Sequence, residues 1–135
     1  MAPHGQFTPA DHSKGDANTV GGYRAVHGRP AAFEGPDGYA YSVEVMVEPA
    51  DDAGAAWGGF LLFVRWARIG AAAPEGHLES DFLVRAATGS AAHDQLGAMP
   101  LADARRLLEQ LIAERHGGRQ PARRWWDAMN ADQDA

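Results

Sequence analysis

The chain has 135 residues, a formal net charge of −6 at pH 7 and no cysteine. This length allows one domain with a modest hydrophobic core. The lack of cysteine excludes disulfides, thiolate metal sites and a thiol nucleophile, and the negative charge argues against binding to nucleic acid. No apolar stretch resembles a secretory signal or a membrane span free of charge, so a soluble cytoplasmic protein is expected.

The N-terminal segment differs in composition from the rest of the chain. Residues 1–22 are rich in Gly, Pro, Asp, His and Ser and contain few large apolar side chains. Such a segment buries too little surface to offset the entropy lost on ordering, and it is predicted to be a disordered arm. A single domain is predicted over residues 23–118, followed by a C-terminal tail over residues 119–135.

Alternating apolar residues predict an antiparallel sheet of four strands in meander order. A short first strand is expected near residues 31–34, although weak alternation from residue 23 leaves its start open. The turn Gly35-Pro36-Asp37-Gly38 joins it to the second strand, because Pro fixes one turn dihedral and Gly accepts a positive φ. The other strands are predicted over residues 39–48, 59–69 and 77–87.

Helical spacing replaces alternation after the sheet. Ser90 is predicted to cap a short helix that ends near Leu96, and Pro100 suits the first turn of a main helix over residues 101–115. The apolar stripe of the main helix consists of Leu101, Ala104, Leu107, Leu108, Leu111 and Ile112. The predicted fold is α+β: a four-stranded antiparallel meander with a C-terminal amphipathic helix, preceded by a short helix, packed on one face.

The alternation also predicts which side chains share a face of the sheet. The face under the helix is predicted to carry Val43, Val45, Phe60, Leu62, Val64, Phe82 and Val84. The opposite face is predicted to combine the apolar residues Met46 and Phe63 with the charged residues Glu44, Arg65 and Glu79. An apolar centre within a polar surround is typical of a protein–protein interface.

One polar constellation on that face has residue types that can carry chemistry. His77, Glu79 and Asp81 are predicted to lie on one side of one strand, with about 7 Å along the backbone between each residue and the next of the three. Arg65 and Glu44 are expected on neighbouring strands. Imidazole and carboxylate groups suit a divalent cation or a base with an orienting acid. Cross-strand ion pairs on a half-solvated sheet have the same composition, and this structural interpretation is favoured. No catalytic residue, metal ligand or cofactor is assigned.

The C-terminal tail contains the run Arg123-Arg124-Trp125-Trp126. Two adjacent tryptophans are costly to leave in water, so Trp125 and Trp126 are expected to be buried. The surface that buries them can be the protein's own sheet, a second subunit, a partner protein or a membrane interface.

Two functions remain open at this point. The favoured one is a non-enzymatic protein–protein interaction or assembly module that uses the exposed sheet face and the C-terminal tail, with a homodimer as its simplest form. The alternative is a small-ligand or metal-dependent enzyme whose site is built from His77, Glu79, Asp81 and Arg65. The two differ in whether these four side chains converge on a pocket or lie along an open sheet.

Overall fold

The computed structural model describes residues 9–52 and 55–116. A turn of 3-10 helix, His12–Lys14, precedes helix α1, Val20–His27. The strands are β1 (Ala32–Glu34), β2 (Ala40–Asp52), β3 (Ala55–Trp66), β4 (Pro74–Glu79) and β5 (Val84–Ala86). They are followed by helices α2 (Gly89–Gly97) and α3 (Leu101–His116).

The strands form one antiparallel sheet in the order β1-β2-β3-β4, with β5 also paired to β3. The α+β class, the meander order of the first four strands and the C-terminal helix are confirmed. Strands β4 and β5 occupy the same edge of β3, one after the other, because β2 occupies the other edge. The single fourth strand predicted over residues 77–87 is therefore divided into two.

Ser80 accounts for this division of the predicted fourth strand. Its Oγ accepts a hydrogen bond from the backbone N–H of Leu61 at 3.0 Å and donates one to the carbonyl of Asp81 at 2.7 Å. The hydroxyl thus takes the place of a strand carbonyl, and the ladder stops. The chain rejoins β3 where the N–H of Leu83 donates to the carbonyl of Gly59.

The hydrophobic core lies between the helices and one face of the sheet. Its buried residues from the helices are Val20, Leu96, Ala104, Leu108, Leu111 and Ile112, and those from the sheet are Tyr41, Val43, Leu61, Phe63 and Leu78. The apolar stripe of α3 therefore packs on the sheet, as its spacing predicts.

The helix-packed face differs from the predicted one in β3. The register pairs Val43 with Phe63 and Val45 with Leu61, and both Leu61 and Phe63 are 0% exposed. The prediction that Phe60, Leu62, Val64 and Phe82 lie under the helix is wrong. Phe60, Leu62 and Val64 lie on the opposite face. Phe82 lies on that face too, because the centre of its ring is 6.3 Å from the centre of the Phe60 ring. Val84 does lie on the predicted face, since it pairs with Gly59.

A one-residue bulge in β2 explains this reversal. At the hairpin end Asp52 pairs with Ala55, whereas Pro49 pairs with Trp57, so β2 accommodates one extra residue between them. Continued without this shift, the register would place the even-numbered residues of β3 under the helices, as predicted. Because side chains alternate between the two faces of a sheet, one extra residue in β2 places every later side chain of β3 on the opposite face.

The segment predicted to be a disordered arm contains the start of α1. Residues 1–8 lie outside the described part of the chain. Thr19 caps α1 by accepting a hydrogen bond from the N–H of Gly22 at 3.0 Å, and Val20 is buried in the core with 3% exposure. The described part of the predicted arm thus contains the 3-10 turn His12–Lys14 and the start of α1, and the weak alternation from Tyr23 belongs to a helix.

We expect Val20→Ala to lower the free energy of unfolding by about 2 kcal/mol, because it removes buried methyl groups and leaves a small cavity. Lys14→Ala is the control, since this side chain is exposed and its loss should change stability by less than about 0.5 kcal/mol. Urea unfolding followed by circular dichroism measures both. A Val20→Ala variant as stable as the wild type would mean that α1 is not docked on the core.

The two C-terminal helices differ only slightly from prediction. Thr88, rather than Ser90, caps α2, with its Oγ1 accepting a hydrogen bond from the N–H of Ala91 at 3.0 Å. Helix α3 ends at His116, one residue past its predicted end. The tail predicted over residues 119–135 lies outside the described residues. Of the helices in residues 9–52 and 55–116, none has both the length and the apolar character needed to cross a membrane.

Candidate functional site

The outer face is the face of the sheet opposite the helix-packed core. It is formed by Ser42, Glu44, Met46 and Glu48 of β2, by Phe60, Leu62, Val64 and Trp66 of β3, and by His77 and Glu79 of β4. Apolar side chains thus run along the central strand, and most of the polar ones flank them on β2 and β4. The cross-strand row Glu44, Leu62, Glu79 shows the pattern in its simplest form.

Polar contacts fix several side chains around this apolar row. The indole Nε1 of Trp66 donates a hydrogen bond to Ser42 Oγ at 3.0 Å, and Glu44 forms an ion pair with Arg24 of α1 at 3.4 Å. Glu79 is 6% exposed, whereas Met46 is 38% exposed. The accessible apolar surface of the outer face therefore comes from Met46 and the half-buried residues of β3, whereas Phe60 is buried with 3% exposure.

The predicted interaction residues are not all on the outer face. Met46 lies there, as predicted, but Phe63 lies in the core and Arg65 lies on the helix side of the sheet. The assignment of Phe63 and Arg65 to the exposed face is wrong because the bulge in β2 reverses the facing of β3. The remaining predicted residues lie outside the described part of the chain: Arg123, Trp125 and Trp126.

The alternative polar site is not assembled either. Glu44, His77 and Glu79 share the outer face, but Arg65 projects from the other side of the sheet. Asp81 lies exposed in the link between β4 and β5. Across residues 9–52 and 55–116, no group of three or more His, Asp or Glu side chains is placed to hold a metal ion. The predicted set therefore does not converge on one site.

Arg65 instead lines a polar pocket on the helix side, which we call the Arg65 pocket. Its volume is about 300 Å³, and its lining consists of Asp37, Tyr41, Arg65, Leu78, Ile112 and Arg115. The turn between β1 and β2 forms one wall, and the last turns of α3 form another. Gly38 allows the tight turn, since its φ of 87° lies in the left-handed region that favours glycine.

Hydrogen bonds hold the polar groups of the Arg65 pocket in place. The Tyr41 hydroxyl donates to Asp37 Oδ2 at 2.5 Å, and the N–H of Tyr39 donates to Asp37 Oδ1 at 3.2 Å. Arg65 Nη2 donates to the carbonyl of Glu75 at 3.0 Å, while the guanidinium carbon lies 4.7 Å from the centre of the Tyr39 ring. Burial and then the hydrogen bond to Asp37 raise the pKa of Tyr41 to about 12, so its hydroxyl stays protonated near neutral pH.

Most of the Arg65 pocket has no signature in the sequence. The hydrogen bonds of Asp37 with Tyr39 and Tyr41 are local, at separations of two and four residues. Comparison with protein-family models, with curated proteins and with solved structures finds no match for this chain. Function is therefore inferred from the outer face and the Arg65 pocket.

Proposed function

We propose that this protein is a non-enzymatic assembly module, in which the outer face of one copy binds the C-terminal segment, residues 117–135, of a second copy. The observation that supports this most directly is the apolar row along β3, which lies between carboxylates of β2 and β4 on the face opposite the core. An apolar strip with a charged rim is the arrangement expected of a polypeptide-binding surface.

Charge and side-chain type favour the C-terminal segment as the occupant. The run Arg123-Arg124-Trp125-Trp126 supplies guanidinium groups next to two indole rings. Guanidinium groups pair well with partly exposed carboxylates such as that of Glu44, and indole rings bury large areas against apolar rows. Two acidic outer faces would instead repel one another if they met directly.

The position where α3 ends favours exchange between two copies. Arg115, in the last turn of α3, lines the Arg65 pocket on the helix side of the sheet. The segment that follows would have to turn around a sheet edge to reach the outer face of its own copy, whereas a second copy can present its face directly. Reciprocal exchange gives a closed two-fold dimer, the commonest form of homo-oligomer.

The test is the solution mass of the full chain, measured by light scattering from about 1 to 200 µM, the range in which modest interfaces associate. The wild type should approach twice the chain mass of 14.4 kDa as the concentration rises. Leu62→Lys should be monomeric because it places a cation on the apolar row. The control Ile69→Lys changes an exposed residue beyond β3 and should behave as the wild type.

A mixing experiment separates this arrangement from other dimers. Leu62→Lys keeps its C-terminal segment, and Trp125→Ser/Trp126→Ser keeps its outer face, so neither should dimerise alone but the mixture should form a complex. A wild type that stays monomeric would contradict the proposal. Shielding of Trp125 and Trp126 from acrylamide in such a monomer would mean that the segment binds its own copy.

A further inference from the structure

We propose that the Arg65 pocket binds a small organic carboxylate with a compact apolar body. This inference is independent of the outer face, because the pocket lies on the other side of the sheet. Two guanidinium groups, from Arg65 and Arg115, and two buried apolar side chains, from Leu78 and Ile112, line the same cavity. A charged end and an apolar floor in one small cavity are typical of ligand sites.

The charged groups of the pocket favour an anion. Arg65 and Arg115 contribute two positive charges and Asp37 contributes one negative charge, which leaves one positive charge among the lining residues. Asp37 is engaged by the Tyr41 hydroxyl and the N–H of Tyr39, so it acts as a fixed wall of the pocket. One excess positive charge suits a ligand with a single carboxylate.

The protein orients the Arg65 side chain without using all of its hydrogen-bond donors. Of its five N–H donors, one on Nη2 bonds to the carbonyl of Glu75, another interacts with the Tyr41 hydroxyl, and the buried Nε has no hydrogen-bond partner among the described residues. The contact with the Tyr39 ring fixes the guanidinium plane. A planar guanidinium that is already oriented pairs with a carboxylate through two parallel hydrogen bonds at little entropic cost.

The size and the floor of the pocket define the rest of the ligand. Leu78 and Ile112 are 9% and 4% exposed, respectively, so the apolar part of the lining is small and suits a compact apolar group. A volume of about 300 Å³ is at the lower end for ligand sites. It suits one ring or a short branched chain.

The experiment titrates the full chain with sodium benzoate and follows amide shifts by nuclear magnetic resonance. We expect saturable shifts around Arg65 and Leu78 with a Kd on the order of 1 mM, because a ligand with so few atoms can make only a few contacts. Benzamide has the same shape without the charge and should bind at least about tenfold more weakly. Inorganic phosphate, an anion without an apolar body, should also bind more weakly than benzoate.

Arg115→Gln is the variant of choice because Arg115 is exposed, and its replacement should leave the fold intact. Loss of one charge-assisted hydrogen bond should weaken benzoate binding by roughly tenfold. Arg105→Gln is the matched control, since Arg105 lies on the same helix, is exposed and pairs with Glu109 at 3.8 Å outside the pocket. It should bind benzoate as the wild type does.

Three results would overturn the carboxylate site. They are the absence of saturable shifts at tens of millimolar benzoate, equal affinity for benzoate and benzamide, and equal benzoate affinity in Arg115→Gln and the wild type. Tighter binding of phosphate than of benzoate would also overturn it, because it would show a general anion site without use of the apolar floor.

Discussion

Leu61→Ala is expected to lower the free energy of unfolding by about 2–5 kcal/mol, and Leu62→Ala by clearly less. The two leucines are neighbours on β3 and lose the same atoms, but they face opposite sides of the sheet. Leu61 is 0% exposed within the core cluster, whereas Leu62 is half-buried on the outer face. The difference in cost therefore measures the register of β3 rather than the size of the side chain.

Urea unfolding of both variants at low protein concentration provides the measurement, because dilution removes any contribution from association through the outer face. The comparison also tests the bulge between Pro49 and Asp52. If Leu62→Ala cost more than Leu61→Ala, the register without the bulge would be the correct one. In that case the outer face as defined above would not exist.

The sequence predicts the elements whose periodicity has a single interpretation. The leucine stripe of α3 and the alternation of β2 each fit only one period. Helix α3 occurs where expected, and β2 begins one residue after its predicted start and continues to Asp52, past its predicted end at residue 48. The facing of β3 was not predictable in the same way. Its side chains are apolar on both faces, so alternation is compatible with either register. The bulge that decides between them is marked in the sequence by Pro49 alone, and proline is equally typical of a strand edge.

Helix α1 was missed because its sequence has poor helix propensity. Gly21 and Gly22 follow directly after Val20, and glycine in a helix costs about 1 kcal/mol relative to alanine. The structure gives a packing reason for Gly21, since a Cβ there would lie 3.1 Å from the Cα of Gly97 in α2. Available signals were the capping residue Thr19 and the three-residue spacing of Val20, Tyr23 and Val26.

The Arg65 pocket was beyond prediction for a different reason. Its lining comes from positions between Asp37 and Arg115, on a turn, three strands and a helix. Such a set meets only when the sheet register and the helix position are both known. The sequence did identify Arg65 as a candidate site residue. Alternation alone predicts it on the face opposite the helices, whereas the bulge places it on the helix side of the sheet.

Tyr41 is expected to make the protein lose about 2–3 kcal/mol of stability between pH 10 and pH 12. The pKa of Tyr41 is raised from 10.0 to about 12 in the folded protein, first by burial and then by the hydrogen bond to Asp37. In this pH window the unfolded chain releases the phenolic proton while the folded chain retains it. Unfolding is therefore favoured progressively as pH rises from 10 to 12. Below pH 10 Tyr41 makes its full contribution to the free energy of unfolding.

Tyr41→Phe isolates this effect because it removes the ionisable hydroxyl and leaves every other titrating group in place. Near pH 8 the variant should be less stable than the wild type by about 1–3 kcal/mol, since Asp37 Oδ2 loses the hydrogen bond that Tyr41 donates to it. Above pH 10 the wild type should lose stability faster, so that the gap between the two proteins closes or reverses by pH 12. Urea unfolding at a series of pH values measures this gap. Parallel stability curves across the whole range would mean that Tyr41 titrates as it does in the unfolded chain and that its hydroxyl is not held in the Arg65 pocket.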